Sequence, residues 1–65
     1  MVNEEDVVPV GRVETEAGDT VAIGLQSGKV HVELANPGRE PVEVWLSPQE
    51  AGSMAEILQA AAGRQ

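Results

Sequence analysis

The side chains able to do chemistry are few. They are one histidine, His31, with Glu33 two residues on and Glu43 further along, together with three serines and no cysteine. Brought together, His31, Glu33 and Glu43 would offer one imidazole and two carboxylates, whereas an oxygen-activating iron site asks for two histidines and a carboxylate. A glutamate pair does acid–base work when burial separates the proton affinities of its members. An open strand face in a chain of 65 residues supplies neither that burial nor a cleft. The plainer role is a solvated carboxylate pair neutralised by Arg12.

Nucleophilic mechanisms meet a similar limit. Ser27, Ser47 and Ser53 fall in a turn, a cap and a helix surface, and a single histidine would have to serve as base. The stretch "GLQSGKV" has the glycine and lysine of a phosphate-binding loop. It is one residue short, lacks the following Ser/Thr and runs into a strand instead of a helix. Catalytic, cofactor and metal residues are therefore expected to be absent, and the chain reads as a non-enzymatic protein.

Small size sets the next constraint. Chains below roughly 70–80 residues seldom bury enough apolar surface for more than about 3–5 kcal/mol, and they lean on disulfides, metals or a second subunit. Zero cysteines and one histidine exclude a disulfide and a zinc site of the usual cysteine/histidine type. Self-association remains, most simply as a homodimer.

The net charge is −7, with seven acids against two bases in residues 1–33 and four against two in residues 34–65. Nucleic-acid binders need a basic stripe, so direct nucleic-acid binding is not expected. The start "MVNEEDVVPV" has acids where a signal peptide has positive charge, and no apolar run approaches a membrane span. A cytoplasmic protein without membrane contact is the corresponding expectation.

These residues have to be positioned by short valine-rich runs between turn signals, which predicts strands. An acidic, flexible tail over residues 1–6 precedes one domain over residues 7–65. "TVAIGLQ" and "KVHVELA" alternate apolar and polar residues around Ser27-Gly28, a two-residue hairpin loop. That turn pairs Val21 with Leu34, Ile23 with Val32 and Leu25 with Val30. Glu16-Ala17-Gly18 predicts a three-residue loop that pairs Val13 with Val21, and "NPGREP" returns the chain so that Val32 meets Val44. The expected fold class is α+β: a four-stranded antiparallel β-meander packed on one C-terminal α-helix (ββββα).

The helix is announced by Ser47, Pro48 and Glu50, a capping box with proline in the first turn, and is expected over residues 48–62, with Gly63 closing it. Met54, Ile57, Leu58 and Ala61 form an apolar stripe at helical spacing, expected to cover the valine face of the sheet. The opposite face then carries two rows, Val10, Gly24, His31 and Trp45 beside Arg12, Ala22, Glu33 and Glu43. With Val8 added, Val10, His31 and Trp45 are the candidate interface, because an exposed aromatic beside apolar residues is the usual composition of a binding hot spot. Arg12, Glu33 and Glu43 are the candidate charge cluster.

The segment "VEVWLSPQEAGSMAEILQAAAG" resembles the C-terminal strand-turn-helix of small uncharacterised proteins from actinobacteria and their bacteriophages. The matching residues are Leu46, Ser47, Pro48, Glu50, Ala51, Leu58, Ala61 and Ala62. The resemblance implies an accessory, non-enzymatic bacterial or phage protein.

The leading expectation is a homodimeric protein-protein interaction module that associates through the Val8/Val10/His31/Trp45 face and also engages another protein. Two alternatives stand beside it. One is an acidic inhibitor that mimics nucleic acid toward a basic host protein, motivated by Glu4, Glu5, Asp6, Glu14, Glu16 and Asp19. The other is a structural component of a larger assembly such as a virion.

Overall fold

The computed structural model describes residues 6–64. The acidic tail expected over residues 1–6 thus lies outside the described residues except for Asp6, which is exposed and in no regular element. Four strands, β1 (Val8–Glu14), β2 (Thr20–Gln26), β3 (Lys29–Ala35) and β4 (Val42–Leu46), precede one helix, α1 (Pro48–Ala62). The strands form one antiparallel sheet in the order β1-β2-β3-β4, so the ββββα fold read from the sequence is the fold of the protein.

Each turn follows from its residues. Ser27 and Gly28 both have positive φ, 53° and 78°, as a two-residue hairpin of matching twist requires. Gly18, at φ 94°, ends the loop between β1 and β2, where Thr15 N–H donates to Asp19 carbonyl at 2.9 Å. Between β3 and β4, Arg39 N–H returns to Asn36 carbonyl at 3.1 Å across Pro37-Gly38. The Asn36 side chain also donates to the Asp19 carboxylate, tying this turn to the first one.

Register gives the two faces their different chemistry. Directly paired residues share a face, so one face collects three rows: Val13, Val21, Leu34 and Val42; Gly11, Ile23, Val32 and Val44; and Val8, Leu25, Val30 and Leu46. These twelve positions contain no charged or polar side chain. The other face holds Arg12, Ala22, Glu33 and Glu43, then Pro9, Gly24, His31 and Trp45.

Val8 corrects the sequence reading. The ladder between β1 and β2 is regular from Glu14 to Gly11, but Pro9 pairs with Gly24 and Gly11 with Ile23, leaving Val10 as an extra, unpaired residue. Proline has no N–H to give to a ladder and is tolerated on edge strands and at bulges. The bulge shifts the register by one, so Val8 pairs with Leu25 and joins the valine face.

The helix is capped as expected. Glu50 N–H donates to Ser47 Oγ at 3.1 Å, and Ser47 N–H donates to Glu50 Oε1 at 2.9 Å. Gly63 N–H closes the last turn on Gln59 carbonyl at 3.0 Å, with φ −71°, a conformation that does not itself demand glycine.

Its packing differs from expectation. The helix meets only β3 and β4, and no residue of α1 is buried. Ile57 is 69% and Leu58 63% exposed, while Leu25, Leu34, Val42 and Val44 on the valine face are exposed as well. No apolar side chain of the described residues is buried. The cause is the connection: Ser47 alone joins β4 to α1, with extended backbone at φ −66°, ψ 160°. Strand–helix connections in compact α/β units usually use about 2–6 residues, and one extended residue carries the helix onward instead of back over the sheet. The molecule is accordingly long, 47 × 32 × 15 Å, with a radius of gyration of 13.2 Å. A compact chain of this length would have about 11 Å.

Candidate functional site

The face opposite the valines forms an open depression of about 880 Å³. Strand alternation places its floor, since Gly24, His31 and Trp45 are successive partners across β2, β3 and β4. His31 is 7% exposed and Trp45 46%, their rings tilted at 54° with centroids 5.2 Å apart. That separation is within the range at which flat rings attract through edge and face. Trp45 Nε1 donates to Gln26 Oε1 at 2.7 Å, so the indole spans β3 and reaches a side chain of β2.

Gly24 has a reason to be glycine. A Cβ there would run into Val7 Cγ1 and lie 2.9 Å from Val8 carbonyl oxygen. The space left by the missing side chain is therefore filled by the start of β1 and the residue before it.

The charged row is brought together as read, with Arg12 opposite Ala22 and Glu33 opposite Glu43. The predicted neutralisation is not what the structure shows. Arg12 Nη2 turns along its own strand to Glu14 Oε2 at 3.2 Å, with both side chains exposed, and Glu43 Oε1 lies 3.8 Å from His31 Nε2. Arg12 follows the closer carboxylate on the same face of β1, two residues on. An exposed pair of this kind contributes about 0–1 kcal/mol.

Of the four candidate interface residues, the structure brings Val10, His31 and Trp45 together around the depression and separates Val8 from them. Val7, Pro9 and Gln26 line the same depression and were not singled out from the sequence. Gln26 was legible in principle, since it lies two residues beyond Gly24 and so on the same strand face. Val7 and Pro9 required recognition of the bulge, whose signal is the proline and glycine flanking Val10.

The lining offers an aromatic face, a buried imidazole, an amide, two carboxylates and one guanidinium, and none of the described lining residues has a hydroxyl, thiol or amine. No three His, Asp or Glu of the described residues are grouped as metal ligands would be. No helix of the described residues is long and apolar enough to cross a membrane. No protein-family model matches the chain, and comparison with curated proteins and with solved structures finds no match.

Proposed function

We propose that this chain is a non-enzymatic protein-protein interaction module that works as a homodimer and presents the His31–Trp45 face to another protein. The observation that carries the proposal is the lack of any buried apolar side chain among the described residues, although the sheet has a wholly apolar face and the helix an apolar stripe. Folding draws most of its favourable free energy from removing such surface from water. One copy does not remove it; two copies do.

The depression around Trp45 supplies the partner surface. A half-exposed tryptophan held by a hydrogen bond, beside apolar Val7, Pro9 and Val10, has the composition of an interaction hot spot. Equilibrium sedimentation across a range of concentrations tests the homodimer. The expected result is twice the chain mass at micromolar concentration with strand and helix dichroism intact, and a folded monomer at all concentrations would overturn it.

A further inference from the structure

Resting on the homodimer reading, we infer that the two copies complete each other by exchanging helices: α1 of each chain docks its Met54, Ile57 and Leu58 stripe on the valine face of the other. The His31–Trp45 depression stays on the outside of the assembly.

Surface area identifies a second copy as the occupant. A compact folded chain of this mass exposes roughly 4,000 Å², whereas this one exposes 5474 Å². The excess is roughly 1,000–1,500 Å² per chain, the lower figure setting the six undescribed terminal residues aside. Doubled for two copies it becomes roughly 2,000–3,000 Å², the size of an obligate homodimer interface.

Geometry identifies the pairing. A helix of 15 residues is about 22 Å long and a strand of seven about 23 Å. The helix therefore matches in length the strands it would cover, with its Met54, Ile57 and Leu58 stripe near the middle. Within one chain the helix meets only β3 and β4 and leaves Ile57 and Leu58 exposed. Between chains related by a two-fold axis each helix is free to lie on the other sheet, which satisfies both surfaces at once. The valine face carries no charge in any of its twelve positions, so two chains of net charge −7 can meet there without opposing like charges in the contact.

The absence of native cysteine makes the test direct. Two single-cysteine variants, Ile57→Cys and Val44→Cys, are mixed and oxidised, and each is also oxidised alone. The inference expects the mixed Ile57→Cys/Val44→Cys disulfide to dominate over either self-linked product. Self-linked Val44→Cys as the main product would mean that sheets stack face to face, and it would overturn helix exchange while leaving the homodimer intact. Self-linked Ile57→Cys as the main product would do the same in favour of helix pairing.

A folded monomer in sedimentation would instead overturn the homodimer itself, so the two failures are separable. An Ile57→Asp chain supplies a second readout, because Ile57 is 69% exposed in one copy and the change costs little packing there. Its dimer should dissociate on the order of 100-fold more readily. An unchanged dissociation constant would contradict the docking.

Discussion

At the scale of single residues, the candidate face depends on one glycine and one ring nitrogen. Gly24→Ala forces a methyl into Val7 and the Val8 carbonyl. Part of the strain falls on rigid backbone, and a loss of about 1–3 kcal/mol is expected in urea denaturation, the usual cost of overpacking. Trp45→Phe keeps an aromatic ring beside His31 but removes the donor to Gln26, with an expected loss of about 0.5–1.5 kcal/mol. Both values are to be read as shifts of denaturation midpoint at constant slope. Trp45 is also the only tryptophan, with no tyrosine, so its accessibility to a neutral quencher is measurable directly. With helices exchanged over the valine faces, acrylamide should quench Trp45 in the dimer as it does a half-exposed indole. A shielded Trp45 would place the self-interface on the depression instead.

At the scale of elements, the sequence was most legible where a local signal has one physical solution. Ser27-Gly28 pairs Leu25 with Val30 and so sets the register between β2 and β3, and the Ser47/Glu50 capping box starts α1 where Pro48 allows it. Replacing Ser47 by Ala removes the acceptor for Glu50 N–H. The expected loss is about 0.5–2 kcal/mol, with reduced helical dichroism at 222 nm. Two features were not legible in the same way. The bulge at Val10 depends on how an edge strand absorbs a proline that cannot donate, and alternation alone treats Val8 and Val10 as equivalent. The packing of α1 depends on the length and backbone angles of its connection, whereas an apolar stripe specifies only that something must cover it. The rows Arg12, Ala22, Glu33, Glu43 and Gly24, His31, Trp45 followed from register alone. Their side-chain partners, Glu14 for Arg12 and Gln26 for Trp45, did not, because long side chains choose among several neighbours within reach.

At the scale of the whole molecule, secondary structure is complete while tertiary burial is not. The backbone ladder and capped helix give each chain its shape, but no apolar side chain of the valine face or the helix stripe is fully buried, and Leu25, Leu34, Val42, Val44, Ile57 and Leu58 are exposed. None of the twelve positions of that apolar face is charged, so the net charge of −7 opposes a second copy there only at long range. Added salt screens this repulsion, so the dimer should hold or tighten between low and high ionic strength. Dissociation by salt would point to a charged interface of a different kind. The most direct test of the central claim, that a second copy completes the core, is the thermal midpoint as a function of protein concentration. If folding and dimerisation are one process, the midpoint rises steadily with concentration, because mass action favours the state in which both apolar surfaces are covered. A midpoint independent of concentration, with sedimentation giving a folded monomer, would contradict the account.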